Sequence, residues 1–384
     1  MTNPIFELGD LVTVRKGKKA VEVSEGPSER FLRYIQIDDL RNNSSMKYAR
    51  NPKGPICDEN DVLIAWDGAK AGTVGFGLSG LVGSTLAILR PNESVYAPYL
   101  GMVLQSKYQM IRDACTGATI PHVSKQFLLR MKIPLPSISE QMRIASILDK
   151  ANEIKESSNK TKKMREQLIR SVFLEMFGDP VANSKGWNVQ KLGKITDGIR
   201  SGSTPKGGSK NYVEDGITFF RSQNVWKNKI DYSDVAYINE KMHLSMEKTS
   251  LKKNDILITK TGRINTENSS LGRAALFTGE DDTANINGHV YFIRLCDANF
   301  SHEFVVYMLT TDIFREYIRS VCVGGIDKRQ LNKEHIENFP IISPPLHLQQ
   351  KFISRINHLS FLTKSNRINL PLILSNSITQ EMLA

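Results

Sequence analysis

Several stretches of the chain carry side chains that can make paired hydrogen bonds to the edges of nucleic-acid bases. Arginine and lysine make such pairs with guanine, and asparagine and glutamine make them with adenine. The candidates in the second half follow apparent strands or lie in a glycine-rich loop suited to close phosphate approach. They are Arg221, Gln223 and Asn224 in RSQNVWKN, Lys260 and Arg263 in TKTGR, and Ser203, Thr204 and Lys206 in SGSTPKGG. The corresponding candidates in the first half are Arg15, Lys16, Lys18, Lys19, Asp38, Asp39, Arg41 and Lys70. Because any one of them could equally be a solvated surface residue, the prediction concerns the clusters.

Motifs for catalysis occur only as fragments. The tetrapeptide SPPL at 343–346 is similar to one found in amino-methyltransferases, but Leu346 stands where an aromatic side chain would stack on a flipped adenine. EIK at 153–155 could belong to a nuclease motif, yet it lies in a predicted helix and is typical of a solvated helix face. The chain has no phosphate-binding GxxxxGK[ST] loop, and its seven histidines have no zinc-site spacing. The sequence therefore predicts no catalysis, metal or cofactor in this chain.

Composition favours an acidic partner. The chain has 384 residues, 51 of them Lys or Arg against 40 Asp or Glu, and its sequence pI is near 9.3. Nucleic acid is the leading candidate for such a partner, although a basic soluble protein without one would look similar. Cys57, Cys115, Cys296 and Cys322 lack metal or redox spacing and are predicted to be reduced core thiols of a cytoplasmic protein. No apolar run approaches the ~20 residues that span a bilayer, so no membrane is expected.

The two halves of the chain repeat one another. IPLPSISEQMRIASIL at 133–148 recurs in pattern as IISPPLHLQQKFISRI at 341–356, with Pro136 matching Pro344 and Gln141 matching Gln349. Three further pairs follow in the same order: FELGDL (6–11) with QKLGKI (190–195), ENDVLIAWDG (59–68) with KNDILITKTG (253–262), and STLAILR (84–90) with GHVYFIR (288–294). Two homologous halves are the best description.

Each half is predicted to be α+β. Runs such as VLIAW (62–66) and ITFFR (217–221), bounded by Gly, Asn and Asp turns, are typical of strands. Helical spacing follows at 98–114 and 302–320, so these helices should pack on the strands.

A much longer helix is predicted from Ser139, as N-cap, to Phe177, where Gly178 and Pro180 end it. About 39 residues would extend roughly 58 Å. A second, weaker helix follows the repeated turn near the C-terminus, with a break at Pro371. We expect the two to pack antiparallel in a coiled coil through an apolar seam. Its predicted members are Ile144, Leu148, Ala151, Leu168, Val172, Met176, Phe352, Ile356 and Leu359.

The stretch IPLPSISEQMRIASILDKANEI, followed by LIRSVFLEMFGDPVANSKGW at 168–187, resembles the central conserved region of specificity subunits of type I restriction-modification systems. The repeated halves look like that family's two target recognition domains, and the C-terminal segment resembles its second conserved region. The C-terminal copy departs from the pattern, with Leu348 in place of the glutamate found at Glu140. The implied division is 1–136 and 186–342 as recognition domains, with 137–185 and 343–384 as helical spacers.

The resemblance implies that each half recognises one half of a split sequence in double-stranded DNA. The helices would separate the halves and dock methyltransferase subunits and restriction or translocase subunits. S-adenosylmethionine, ATP and Mg²⁺ are then expected on those partners and not on this chain. Two alternatives differ in what they require. A stand-alone DNA-binding regulator would not need long partner-ready helices, and a fused methyltransferase-nuclease would need the cofactor motifs that are missing.

Overall fold

The structure is a computed structural model that describes residues 3–42, 46–51, 53–117, 119–205, 207–263, 269–325 and 328–365. The chain forms two compact units that divide between Lys160 and Thr161. We call them unit 1 and unit 2 and describe each separately.

Unit 1 contains β1 (Ile5–Glu7), α1 (Leu8–Leu11), β2 (Val12–Lys16), β3 (Glu22–Ser24), β4 (Leu32–Ile35), β5 (Lys47–Arg50), β6 (Ile56–Cys57), β7 (Val62–Ala65), β8 (Val74–Phe76), β9 (Gly80–Val82), β10 (Leu86–Pro91), α2 (Ala97–Ser106), α3 (Tyr108–Asp113), α4 (Lys125–Leu129), β11 (Lys132–Pro134) and the start of α5 (Ile138–Phe177). Strands β2, β10, β7 and β8 form an antiparallel sheet in that order. A five-stranded sheet has the order β3-β5-β4-β9-β6, in which β4 and β9 are parallel.

The four-stranded sheet of unit 1 is buried on both faces, by helix α2 on one side and by the five-stranded sheet on the other. Val62 and Ile64 of β7 pack in a cluster with α2, whereas Leu63 and Ala65 pack in a cluster with Ile35 and other residues of the five-stranded sheet. Successive side chains of a strand point to opposite faces, so a strand buried on both sides must be apolar throughout. This explains the continuous apolar run in the sequence.

Unit 2 contains the end of α5 and then β12 (Val189–Lys191), β13 (Thr196–Ser201), β14 (Ile217–Phe220), β15 (Val225–Trp226), β16 (Lys229–Ile230), β17 (Ala236–Ile238), α6 (Glu240–Ser245), β18 (Ile256–Thr259), β19 (Thr261–Gly262), β20 (Ala274–Leu276), β21 (Ala284–Ile286), β22 (Val290–Leu295), α7 (His302–Thr310), α8 (Asp312–Val321), β23 (Val323–Gly324), β24 (Arg329–Gln330), α9 (Lys333–Glu337), β25 (Pro340–Ile342) and α10 (Leu346–Ser365).

The internal repeat predicted from the sequence is present in the topology. The sheet β13-β22-β18-β20 of unit 2 has the same antiparallel order as β2-β10-β7-β8 of unit 1. Strand β14 runs parallel to β21, as β4 does to β9. The predicted mixture of helices and sheets in each half is confirmed. The helical stretches predicted at 98–114 and 302–320 are each two helices, broken at Lys107 and Thr311. Thr311 ends α7 and caps α8 through its side chain.

The long helix α5 is confirmed, with a corrected start. It begins at Ile138, and the hydroxyl of Ser137 accepts a hydrogen bond from the backbone N–H of Glu140, so Ser137 and not Ser139 occupies the capping place. At the other end, Gly178 adopts a φ of 76°. The indole N–H of Trp187 donates to the carbonyl of Phe177, satisfying one of the free carbonyl groups at the helix end.

Members of the predicted seam pack in the cores of both units, and those near the end of α5 share the core of unit 2 with α10. Ile144 is buried in the core of unit 1, and Leu148 packs against that core. Val172 and Met176 pack on the core of unit 2, and Leu168 is about half exposed at 49%. Heptad spacing predicts an apolar stripe along a helix but does not identify the residues that pack against that stripe. In the structure, the core of unit 1 buries the start of α5 and the core of unit 2 buries its end.

The remaining seam residues are in these places. Phe352 is fully buried in the core of unit 2, and Ile356 packs against it. Ala151 and Leu359 are half-buried. The predicted break at Pro371 lies outside the described residues.

A buried glutamine in each unit explains the repeated turn that precedes α5 and α10. The Gln141 side chain accepts a hydrogen bond from Tyr96 N at 2.8 Å and donates to the carbonyls of Ser94 and Pro136, both at 2.9 Å. Gln349 does the same in unit 2, accepting from Ser301 N and donating to the carbonyls of Asn299 and Pro344. We call this arrangement the glutamine clasp. It ties the first turn of each helix to a loop of its own unit.

Candidate DNA interface

In unit 1, two loops that contain predicted residues meet at one end of the four-stranded sheet: the loop at Lys16 and the loop after β7, which contains Lys70. Asp67, in the second of these loops, and His122 were not among the predicted residues. Lys16 ends β2, and Asp67 follows β7. The ammonium group of Lys16 lies 2.7 Å from Asp67 Oδ2, and His122 Nδ1 lies 2.6 Å from Asp67 Oδ1. Lys16 and His122 are about half exposed, whereas Asp67 is mostly buried between them. The Asp67 carboxylate thus holds the half-exposed Lys16 ammonium group and His122 ring at this end of the sheet.

The charge on Asp67 is maintained by these two neighbours. Burial alone would raise its pKa, but hydrogen bonds from Lys16 and His122 outweigh burial and hold the pKa of Asp67 below its ordinary value of 3.8. A group with a lowered folded-state pKa stabilises the fold above its unfolded pKa, and that stability is lost as the pH falls through the folded pKa.

Asp67→Asn should therefore lower the melting temperature at pH 5, and this difference from the unchanged protein should shrink below about pH 4. Melting curves of both proteins across this pH range measure it. Lys16→Gln is the matched variant, because it removes the ammonium charge beside Asp67 and should weaken the pH dependence. A difference that grows on acidification would contradict this assignment.

The predicted loop after β4, which contains Asp38, lies against the loops that contain Lys18 and Lys70. Asp38 forms an ion pair with Lys70, which lowers the pKa of Asp38 through their hydrogen bond. Lys18 N donates to the carbonyl of Val82, and Gly83 N donates to the carbonyl of Ile35 at the end of β4. All three predicted loops are therefore neighbours in the folded unit.

Asp39 requires a correction. Its side chain is buried and accepts hydrogen bonds from Gln36 N and Arg33. It closes the turn after β4, so it is not placed to contact a base. The other unit 1 candidates, Arg15, Lys18, Lys19 and Arg41, are exposed.

In unit 2, two predicted loops converge at the equivalent sheet end around Gly288 and His289. Lys260 follows β18, and its backbone N–H donates to the carbonyl of His289. The ammonium group of Lys260 lies 5.4 Å from the centre of the Tyr291 ring, within range of a cation–π interaction. Gly288 lies so close to Thr204 that a Cβ atom on it would come within 3.1 Å of the Thr204 hydroxyl. Ser203, Thr204 and Arg263 are exposed, and Lys206 lies outside the described residues.

The predicted loop after β14, which contains Arg221 and Gln223, is held by the carboxylate of Asp234. Both Arg221 and Gln223 donate hydrogen bonds to Asp234, at 3.0 and 2.6 Å. These bonds lower the pKa of the exposed Asp234 carboxyl, with Gln223 contributing most. The pairing holds an arginine and a glutamine side by side, with Gln223 exposed and the Arg221 side chain 20% exposed.

Asn224 in this loop is a second correction. Its side chain is 1% exposed, accepts from Arg221 N and donates to the carbonyls of Asp231 and Asp234. All of its hydrogen-bonding groups are used within its own loop. It occupies the same place in unit 2 as Asp39 does in unit 1, and both shape a turn.

An ion pair with a buried aspartate lies at the opposite end of the four-stranded sheet in each unit and was not identified from the sequence. Arg90 donates two hydrogen bonds to Asp61, at 2.8 and 2.6 Å, and Arg294 donates two to Asp255, at 2.8 and 2.7 Å. Both aspartates are 1% exposed. The sequence could have indicated these ion pairs, because Asp61 and Arg90 fall at positions of the repeat that match Asp255 and Arg294.

Three general features of the described residues bear on the chemistry. They contain no group of three or more His, Cys, Asp and Glu that could hold a metal ion. Within the same part of the chain, no helix is long and apolar enough to cross a membrane. Cys296 is exposed and Cys115 is half-buried, which corrects the prediction of four core thiols. Cys57 is a core thiol, and burial raises its pKa to about 11.

Comparison with known proteins identifies the family. The family model for the type I restriction modification DNA specificity domain matches residues 2–165 and 184–370. A type I restriction enzyme specificity subunit of Methanocaldococcus jannaschii, MjaVIII, is 25% identical over 377 residues, covering 94% of this chain and 87% of that protein. The EcoBI specificity subunit of Escherichia coli is 21% identical over 383 residues, covering 91% and 78%.

The fold has solved counterparts. The crystal structure of a type I restriction-modification S subunit from M. genitalium superposes with a TM-score of 0.60 at 16% identity, covering 100% of this chain and 99% of that one. A structure from a study of complex assembly in the type I restriction-modification system gives a TM-score of 0.52 at 17% identity, covering 100% and 96%. Two matched domains, a repeated topology and the long helix together show that this chain belongs to the specificity subunits of type I restriction-modification systems, which are DNA-recognition and not catalytic components.

Proposed function

We propose that the chain recognises a bipartite target in double-stranded DNA, each unit contacting one half of the target, with an unread gap between the halves. The observation that carries the proposal is the convergence, at the same sheet end of each unit, of polar and basic side chains from separate loops. In unit 1 this is seen at Lys16, Asp67 and Lys70, and in unit 2 at Lys260 and Thr204. Clustered groups of this kind suit paired hydrogen bonds to base edges and contacts to phosphates.

Charge and composition agree with this proposal. The net charge of +11 favours attraction to a polyanion, and the candidate loops of both units contribute exposed Lys and Arg to it. Arg221 and Gln223, held by Asp234, offer one side chain of the guanine-reading type and one of the adenine-reading type. The proposal assigns base contacts to clusters, and Asn224 and Asp39 are not among the contacting residues.

The proposal extends to partners and cofactors. The 40-residue helix α5, exposed along residues 152–164, and the helix α10 would dock methyltransferase subunits and restriction or translocase subunits in the cytoplasm. S-adenosylmethionine, ATP and Mg²⁺ would bind those partners. The relatives named as specificity subunits of restriction enzymes support this assignment.

Methylome sequencing of a host with and without this chain tests the proposal. In the presence of the partner subunits, the chain should add methylated sites that share two short specified blocks separated by a fixed unspecified gap. Expression of the chain without methyltransferase subunits is the control and should add none. An added motif that is one uninterrupted block would refute the bipartite target, and methylation by the purified chain alone would refute the non-catalytic role.

A further inference from the structure

His122 lies at the sheet end of unit 1 that carries the candidate DNA-contacting residues, but it belongs to a loop outside the predicted clusters. Its side chain is 50% exposed, and its Nδ1 atom lies 2.6 Å from Asp67 Oδ1. The ammonium group of Lys16 contacts the other oxygen of the same carboxylate, at 2.7 Å. His122 is therefore presented to solvent beside a lysine that the sequence predicted to contact DNA.

The backbone on both sides of His122 is anchored. Thr116 and His122 exchange two backbone hydrogen bonds, at 2.9 and 2.7 Å. The next residue, Val123, donates its N–H to the carbonyl of Trp66 and is buried in the core of unit 1. A side chain on such a backbone needs little further ordering when it contacts a ligand, so its bound geometry is largely formed in advance.

The hydrogen bond with Asp67 determines which ring nitrogen of His122 points outward. Burial raises the pKa of Asp67, but hydrogen bonds from Lys16 and His122 outweigh burial and keep that pKa below its ordinary value. The carboxylate is therefore ionised at neutral pH and can only accept hydrogen bonds. In the neutral imidazole ring, Nδ1 must then carry the hydrogen, and Nε2 is left as an acceptor. The two ring nitrogens point in diverging directions, so Nε2 points away from Asp67.

Unit 2 has the same backbone arrangement at Gln330. This residue of β24 pairs with residues of β19 and β23, in the way that His122 pairs with Asp67 and Thr116. Leu331, the next residue, is fully buried. The position is therefore part of the shared fold and not a local irregularity of unit 1.

The side chains at this place differ between the units, although the backbone pairing does not. The three positions of unit 1 and their counterparts in unit 2 are Lys16 and Ser201, Asp67 and Thr261, and His122 and Gln330. By contrast, the ion pair of Asp61 with Arg90 and the clasp residue Gln141 keep their residue types in unit 2. Two units that recognise different half-sites need one framework with different side chains on it, and the position of His122 meets this requirement.

We propose that His122 contacts a base of the half-site recognised by unit 1, with Nε2 accepting a hydrogen bond from the exocyclic amino group of adenine or cytosine in the major groove. Asp67 is a positioning residue that orients the ring. This inference rests on the proposed function and adds to it a contact residue on a fourth loop of unit 1.

The chemistry of Nε2 favours a base edge over the DNA backbone. A phosphodiester group offers only acceptors, so it cannot donate a hydrogen bond to an acceptor nitrogen. Every base pair offers one amino group in the major groove, N6 of adenine or N4 of cytosine, and the place of that group in the groove differs between the pairs. A fixed acceptor at His122 therefore discriminates between base pairs.

Replacement of His122 by asparagine separates the roles of the two ring nitrogens. The asparagine amide nitrogen takes the place of Nδ1 and can still donate to Asp67, whereas no atom takes the place of Nε2. The full-length chain and His122→Asn, each assembled with the methyltransferase subunits, are titrated with a duplex carrying the target mapped by methylome sequencing, with single base-pair variants of it and with a scrambled duplex.

His122→Asn should bind the mapped duplex about fivefold to tenfold more weakly, the equivalent of one hydrogen bond, and bind the scrambled duplex as before. It should lose discrimination at one base pair of the unit 1 half-site and at none of the other half-site, and it should keep its melting temperature. His302→Asn makes the same substitution at a partly exposed histidine at the start of α7 and should keep the original binding and discrimination.

Bases that lack the amino group locate the contact. At the affected base pair, replacement of adenine by purine or of cytosine by pyrimidin-2-one should weaken binding of the unchanged chain but have little effect on His122→Asn. Asp67→Asn should reduce discrimination at the same base pair. Added to His122→Asn, it should cause no further loss there, because Asp67 acts through the ring.

Equal weakening on the mapped and scrambled duplexes, or a lower melting temperature with losses at many base pairs, would overturn the base contact. If the unchanged chain discriminated in both half-sites and His122→Asn did so equally well, the proposed function would stand and the His122 contact alone would be refuted. If the unchanged chain bound the mapped and scrambled duplexes equally, the proposed function would fail and the contact with it.

Discussion

Exchange of residues 186 to 340 for the same region of a relative should replace one half of the recognised DNA sequence and leave the other half and the gap unchanged. All candidate base-contacting loops of unit 2 lie within that range, including those of Thr204, Arg221 and Lys260. The helix α5 ends at Phe177 and α10 begins at Leu346, so both helices are retained. Methylome sequencing of hosts carrying the original and the exchanged chain measures the result.

The reciprocal exchange is the matched control. Replacing residues 1 to 132, which stop before the repeated turn and carry Lys16 and Lys70, should change the other half-site only. If either exchange altered both half-sites, the two units would not recognise DNA independently.

Phe352→Ala should destabilise unit 2 by about 3 to 5 kcal/mol, the range for removing a large aromatic side chain from a packed core. Phe352 is fully buried, and its ring centre lies 4.8 Å from Tyr307, 5.5 Å from Phe173 and 5.6 Å from Phe177. It therefore joins α10, the end of α5 and α7 in one aromatic cluster. The measurement is the free energy of unfolding from denaturant titration.

Leu168→Ala is the control for that substitution. The predicted seam included both residues, but Leu168 is half exposed, so its truncation should change the stability of unit 2 by about 0.5 kcal/mol or less. Equal losses from the two variants would show that Leu168 is covered as fully as Phe352 and would contradict the packing described for α5.

The large features of the fold could be predicted because they repeat or persist along the chain. The end of α5 at Phe177 was predicted correctly, since its apolar spacing continues until Gly178, but the N-cap was placed at Ser139, two residues after Ser137. The two-unit repeat was visible from pairs such as Gln141 and Gln349. Contact between α5 and the C-terminal helix was expected, and the ring centre of Phe352 of α10 lies 5.5 Å from that of Phe173 of α5. That the domain cores also cover the apolar stripe of α5 could not be predicted, because periodicity does not distinguish a helix from a domain core as the covering surface.

The candidate interface was predictable as a set of loops but not as individual contacts. Lys16 at the end of β2 and Lys260 after β18 lie at the same end of the repeated four-stranded sheet, and the repeat reveals this. Burial decides the role of a polar residue within a loop, and nothing local in the sequence shows that Asn224 points inward.

The glutamine clasp has a consequence for how such a protein can diversify. Gln141 and Gln349 bond only to main-chain atoms of the loops that they hold. A hydrogen bond to the main chain does not depend on the side chains of that loop, provided that the loop keeps its backbone conformation. The attachment of a helix to its unit therefore survives while the sequence of the unit drifts. New DNA specificities can arise while the glutamine clasp stays unchanged, because the clasp depends on the backbone conformation of the loop and not on its side chains.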